Sequence, residues 1–358
     1  MATRTLIRPT GFVDSPFGHD GKVARLAGGL NWFGLVELIE VEGGKRVSSE
    51  IVPVEGIEGR FDKAMAADWA RIIATRPALQ MGERTIRLDQ PQVMGIINAT
   101  PDSFSDGGSF ADASEAAEAG ANMAAQGAAI IDVGGESTRP GAATVWEGDE
   151  IERVLPVVQR LAAGGNAVSI DTRKSGVMSA AIGAGAKLVN DVSALTWDEQ
   201  SGSVVAKGGV PVILMHHQGD PQTMQKDPRY DDVLVEVYMW LEDRIEAAEM
   251  AGIARDKILV DPGIGFGKTV AHNLELINGL ALLHGLGCPI VFGASRKRMI
   301  GALANEAPAD QRLPGSLALA LKAVEQGVQI IRVHDVPETM QALKVWRGLR
   351  DQALTPRL

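Results

Sequence analysis

The sequence predicts an α/β fold, a (β/α)8 TIM barrel preceded by a small N-terminal α+β extension. Three observations predict it. From about Pro91 onward, short apolar runs rich in β-branched residues alternate with Ala-rich helical stretches, the pattern of consecutive βα units. Each run is hydrophobic almost throughout, as a parallel strand covered on both faces must be. Nearly every run also ends in a polar or charged residue, and in a barrel such ends gather on the face where active sites lie.

Eight strands are predicted, at 93–97, 129–133, 168–171, 188–191, 212–215, 258–260, 290–292 and 330–333. Helices at 113–126, 151–161, 233–251, 317–326 and 337–349 lie between them, several opened by Asp, Ser or Pro in capping positions. An open doubly wound sheet is the alternative, because strand order alone does not show closure and no exact internal repeat settles it. Residues 1 to about 90 read differently. Segments 35–41 and 47–54 resemble strands paired across Glu42-Gly43-Gly44-Lys45, followed by a helix over 62–75. This extension carries no recognisable chemistry and reads as a packing or oligomerisation element, with the barrel running from 91 to 358.

Composition narrows the class. At 358 residues and 45% apolar the chain can bury a sizeable core, so disorder is not the default. A net charge of -10 leaves no basic surplus for nucleic acid or an anionic membrane surface, so an anionic substrate must be held by a few local cations. The single cysteine, Cys288, excludes an internal disulfide and reads as an inert buried thiol. With no apolar leader and no run of 18 apolar residues, the expected compartment is the cytoplasm.

The strand-end residues are Asn98, Asp132, Asp171, Asn190, His216, Asp261, Ser295 with Lys297, and Arg332 with His334. Any one of them can be a helix cap or turn former; eight together are harder to read that way. Three carboxylates with Asn190 and Lys297 suit a flat heterocycle with an amino-pyrimidinone edge, such as a pterin, whose adjacent N–H donors pair with carboxylate oxygens. A transition-metal site competes weakly, since His216 and His217 are neighbours on an extended segment and should diverge. Arg332 and His334, two apart on one strand, share a face and with Asn98 would hold a diphosphate and its Mg²⁺. The bland alternative is a surface ion network of Arg332, His334 and Asp335. Two long loops, 100–108 and 134–141, each mix glycines with an anchor, Phe104 in the first and Arg139 in the second. The segment DPGIGFGKT from Asp261 fails the phosphate-loop pattern, because Pro262 stands where a glycine is needed. Its glycines instead let the backbone and Phe266 approach a planar ring.

The strings MGIINATPDSFSDGG from Met94, IDVGGESTRPGA from Ile131, SIDTRK from Ser169, NDVSA from Asn190, LMHHQGDPQTMQ from Leu214, DPGIGFGK from Asp261, GASRKRMIG from Gly293 and RVHDV from Arg332 resemble the dihydropteroate synthase family of pterin-binding barrels. The resemblance runs from about residue 93 to the end. It implies condensation of (7,8-dihydropterin-6-yl)methyl diphosphate with 4-aminobenzoate, and a pterin pocket of Asp132, Asp171, Asn190, Met215, Asp261, Phe266 and Lys297. It implies a diphosphate and Mg²⁺ region at Asn98, Arg332 and His334, with Asn98 as the metal ligand. Phe104, Asp106, Thr138, Arg139 and Pro140 would complete the 4-aminobenzoate side, flanked by Ser295 and Arg296. Asp106, Arg139, Lys297, Arg332 and His334 are the expected catalytic set, and a homodimer is expected. His217 replaces a frequent Met and Arg298 stands where some members carry Ser, which leaves sulfonamide sensitivity open. A pterin-dependent methyltransferase and a non-catalytic pterin-binding paralogue are the rival readings.

Overall fold

The structure is a computed structural model that describes residues 3–99, 110–137, 144–219 and 223–356. The extension comes first, with strands β1 (Thr3–Val13), β2 (Ala24–Arg25), β3 (Trp32–Glu42) and β4 (Lys45–Pro53), helix α1 (Lys63–Ile73) and a hairpin of β5 (Leu79–Met81) and β6 (Arg84–Ile86). Strands β7 (Gln92–Asn98), β8 (Ile130–Gly134), β9 (Val168–Asp171), β10 (Leu188–Asp191), β11 (Val212–Met215), β12 (Ile258–Asp261), β13 (Val291–Phe292) and β14 (Ile330–Val333) follow. The barrel helices are α2 (Phe110–Ala125), α3 (Glu147–Ala163), α4 (Ser175–Ala184), α5 (Ser201–Gly208), α6 (Val233–Met250), α7 (Val270–Asn278), α8 (Arg298–Leu303), α9 (Leu313–Glu325) and α10 (Val336–Ala353).

Among the described residues the eight later strands form one parallel sheet in the order β12-β11-β10-β9-β8-β7-β14-β13. A parallel bridge from Val260 to Ile290 joins its two ends, which closes the barrel and removes the open-sheet alternative. Successive strand residues face opposite sides. Val93, Ile97, Ile131, Val133, Ile170, Val189 and Leu214 therefore pack outward under the helices. Met94, Ile130, Leu188, Ile213, Leu259, Val291 and Ile330 fill the interior and pack against Leu79, Met81 and Ile86 of the β5–β6 hairpin, which stoppers the N-terminal end. Two residues further along the same strands stand Asp132, Asn190, Asp261 and Arg332. The alternation that builds the apolar floor thus points the polar set into the mouth above it.

The extension is more extensive than the sequence suggests. The β3–β4 hairpin turns on Gly43 and Gly44, both at positive φ, as a two-residue loop between right-twisted strands requires. Asp62 caps α1 by accepting from the Met65 N–H at 2.8 Å. Strand β1, unrecognised in the sequence because Pro9 and Gly11 interrupt it, pairs antiparallel along β3 and is an edge strand, where a proline is tolerated. One face of this sheet packs on α1 through Ile7, Val36, Leu38 and Trp69. From the other face Leu6, Ile39 and Val41 join the barrel's own core. Arg4 pairs with Glu242 and Arg46 with Asp232 at 2.6 Å, both on or beside α6, while Arg76 donates to the His284 carbonyl at 3.1 Å. Cys288 is fully buried next to this seam, and burial pushes its thiol up to about 11, so it is inert.

Because Ile39 is wholly enclosed between extension and barrel, Ile39→Ala should destabilise the whole chain by about 2–5 kcal/mol in a single cooperative urea transition. A separate early transition that leaves the barrel's stability unchanged would show instead that the extension folds apart from it.

Candidate active site

The mouth of the barrel is organised around one guanidinium. Arg332 Nε donates to Asp132 Oδ2 at 2.6 Å and its Nη2 to Asp171 Oδ2 at 2.7 Å. Asn190 Nδ2 donates to the same Asp132 oxygen at 3.0 Å. The other oxygens, Asp132 Oδ1 and Asp171 Oδ1, are buried with no partner among the described residues. Buried acceptors without donors are costly, so this pair marks a place where a ligand's N–H groups belong. Burial pushes the Asp171 carboxyl up to about 7; Arg332 opposes the shift and Asp132 adds to it.

A second group adjoins the first. Asp261, directly across from Met215 in the β11–β12 register, accepts from the Gly263 N–H at 2.7 Å. Burial raises its carboxyl pKa, opposed by that N–H and by Lys297. The Lys297 ammonium stands 4.0 Å over the Phe266 ring, and burial lowers it to about 8 while Asp261 opposes. A carboxylate, an aromatic face and a cation are thereby brought together above the apolar floor. On the rim, Ser295 Oγ lies 3.1 Å from His334 Nδ1 and accepts from the His334 N–H at 3.3 Å. Arg296, between Ser295 and Lys297, has a positive φ of 58, which turns its own side chain outward to Asp335. Such backbone is strained for a non-glycine residue. It is held here by hydrogen bonds from the Arg296 N–H to Ser316 at 3.0 Å and from Arg312 to the Arg296 carbonyl at 3.0 Å.

The structure thus gathers Asp132, Asp171, Asn190, Asp261, Arg332, Met215, Phe266 and Lys297 in the mouth, with Ser295 and His334 at its edge. Asn98 ends β7 opposite Gly134 of β8. Arg332 does not point to the surface network expected with His334 and Asp335: it turns inward to two carboxylates, and Asp335 pairs with Arg296. Phe104, Asp106, Thr138, Arg139 and Pro140 lie outside the described residues. The expected divergence of His216 and His217 does not hold, since their rings lie 4.9 and 5.6 Å from the ring of Trp240 on α6. Both follow the end of β11, where strand alternation no longer governs direction. His216 accordingly leaves the mouth and reaches Lys268 behind it.

Two buried groups escaped the sequence reading. Lys268 ends the glycine-rich segment after β12, and Glu136 accepts from Arg173 at 3.0 Å and Lys174 at 2.8 Å, with Lys174 also pairing to Glu150. The cations of SIDTRK, two and three residues beyond Asp171, were the available signal for the second.

Comparison with known proteins shows what the chain resembles. The profile of the family described as pterin binding enzyme matches residues 94–334. The dihydropteroate synthase of Escherichia coli is 48% identical over 262 residues, 73% of this chain and 92% of that protein. That of Neisseria meningitidis is 45% identical over 280 residues, 76% of this chain and 98% of the relative. The Xanthomonas albilineans dihydropteroate synthase solved with 4-aminobenzoic acid superposes at a TM-score of 0.73 with 47% identity, covering 78% of this chain and 100% of its own. The same enzyme with 7,8-dihydropteroate gives 0.70 at 43% identity, again covering 78% and 100%.

The raised Asp171 pKa sets a test. Its folded value lies above the unfolded one, so ionising it costs stability progressively as pH rises from the ordinary carboxylate range through about 7. The ligand-free Asp171→Asn protein should therefore melt several degrees above the parent at about pH 8, with the gap closing towards about pH 4. A gap independent of pH would mean that this carboxyl is not the titrating group.

Proposed function

The chain belongs to the pterin binding enzyme family and groups there with the dihydropteroate synthases, and from that premise we propose how it joins (7,8-dihydropterin-6-yl)methyl diphosphate to 4-aminobenzoate, releasing diphosphate. The observation that carries the reading is the pair of donorless oxygens on Asp132 and Asp171, set beside Asn190 in a mouth whose other members are Asp261, Phe266 and Lys297. The amino and ring N–H groups of the pterin supply the missing donors, and its flat face lies along the Phe266 ring.

Arg332 is bonded to these carboxylates, and His334 follows two residues later, just past the end of β14. Arg332 neutralises the carboxylates and, with His334 and Ser295, presents donors to the diphosphate as charge builds on the departing oxygen. Asn98 contributes a neutral amide oxygen, a donor type that suits a hard divalent cation. An ion at Asn98 would draw the rest of its oxygen ligands from other donors, the diphosphate among them. When bound, Mg²⁺ would neutralise the leaving group. No protein nucleophile is required, since the neutral aniline nitrogen of 4-aminobenzoate captures the methylene carbon left by the diphosphate. Phe104, Asp106, Thr138, Arg139 and Pro140 complete the 4-aminobenzoate side on the strength of their sequence strings alone.

Among the described residues no helix is long and apolar enough to cross a membrane. We place the enzyme in the cytoplasm, as a homodimer, on its composition and its likeness to the family.

The deciding assay couples diphosphate release to a colour change. Release should require 4-aminobenzoate and rise with Mg²⁺, and Lys297→Ala or Asp261→Asn should reduce kcat/KM by about a hundredfold or more, each removing a charged contact to the pterin. Diphosphate release that ignores 4-aminobenzoate would defeat the assignment.

A further inference from the structure

Lys268 is a buried lysine for which the reaction as derived has no use. It lies at the end of the segment Pro262 to Gly267, whose glycines Gly263, Gly265 and Gly267 all have positive φ. The segment is closely packed: a side chain at Gly263 would strike the His216 carbonyl, and one at Gly267 the Gln218 carbonyl. Backbone so rich in left-handed glycine has little intrinsic preference for one shape, so its conformation has to be imposed from outside. The surrounding side chains impose it. Asp261 accepts from the Gly263 N–H at 2.7 Å and Asn273 Oδ1 from the Gly265 N–H at 2.7 Å, while Gln225 donates to the Gly265 carbonyl, Tyr230 to the Gly267 carbonyl at 2.9 Å, and Lys268 to two more.

Burial lowers the Lys268 pKa to about 7, with Asp261 opposing; in its charged form the side chain donates to the Gly263 carbonyl at 2.9 Å and the Phe266 carbonyl at 3.1 Å, and its third contact is His216 Nδ1 at 2.8 Å. Three acceptors match the three N–H bonds of an ammonium. His216 can accept because burial, with Lys268 beside it, lowers its pKa well below the usual imidazole value and leaves the ring neutral. The carbonyl that Lys268 grips at Phe266 belongs to the residue whose ring lies under the Lys297 ammonium. We propose that Lys268 is a positioning residue for the pterin: by tying Gly263 and Phe266 to His216 from behind, it fixes the ring of Phe266 in register with Lys297. The proposal rests on the pterin reading of the mouth and deepens it, since Lys268 makes its hydrogen bonds to the loop and to His216.

The test measures the Kd of (7,8-dihydropterin-6-yl)methyl diphosphate by calorimetry without 4-aminobenzoate, and kcat at saturation, for the full chain carrying Lys268→Met. Lys268→Gln, which keeps two N–H donors, stands beside it should the apolar variant fold poorly. Loss of charge-assisted bonds that orient the ring should weaken pterin binding about tenfold or more while kcat stays within about threefold. In a Phe266→Ala background the same change at Lys268 should have little further effect on Kd, because the group it positions is gone. Unchanged Kd in the single variants overturns the inference, and so does an undiminished loss in the Phe266→Ala background, which would mark Lys268 as a general strut. Lys297→Ala separates the two levels of argument. Parent-like pterin binding in that variant removes the pocket reading itself; loss there beside parent-like binding in Lys268→Met removes the inference alone.

Discussion

More negative charge has been drawn into the barrel mouth than its cations offset at close range, and the architecture of the site follows from that excess. Asp132, Asp171 and Asp261 are all buried. A carboxylate out of water is tolerable only when paired or hydrogen-bonded. Arg332 reaches two of the three, one oxygen each, and Asn190 returns to an oxygen that Arg332 already holds. The remaining oxygens of Asp132 and Asp171 are left without donors. The apo chain therefore carries a local instability that a molecule with a row of N–H groups relieves, and binding energy at this site is in part the release of that instability.

Such a site requires a rigid support. The layer beneath the carboxylates is continuous hydrocarbon, Met94, Ile130, Leu188, Ile213, Leu259, Val291 and Ile330, stoppered by the β5–β6 hairpin. Water entering from the N-terminal end would solvate the carboxylates and remove the penalty that makes them selective. The hairpin and the first sheet are thus tied to the chemistry without contributing to it. The same holds for the seam of Arg76, His284 and Cys288, which backs the approach to β13 and so to Ser295 and Lys297.

The sequence announced the eight βα units and the inward carboxylates because both rest on period two. A strand buried on both faces has an inside position every second residue, and a polar residue at its last inside position has nowhere to point but the mouth. That logic stops where the strand stops. His216 follows the end of β11, so its direction was set by Trp240 and Lys268, contacts made across long sequence separations. Strand β1 was hidden by Pro9 and Gly11, whose cost depends on whether a strand lies at an edge, which pairing alone decides. Lys268 was hidden by a different route: in a failed phosphate-loop pattern a lysine reads as surplus, and only the fold shows its three acceptors belonging to one loop and one histidine.

The division between inner and outer groups explains why a chain of net charge -10 can still receive a diphosphate. Among the described residues, most cations near the mouth are already committed. Arg173 and Lys174 neutralise Glu136 and Glu150, Arg296 faces Asp335, and Lys268 is enclosed by carbonyls and His216. Lys297 instead faces an aromatic ring, and Arg332 spans two acids whose free oxygens await donors. Once those oxygens receive N–H groups from a ligand, the carboxylates draw less on the guanidinium, and its positive field extends toward His334 at the rim. On the proposed reading, occupation of the pterin pocket and affinity for the leaving diphosphate are coupled through this one side chain.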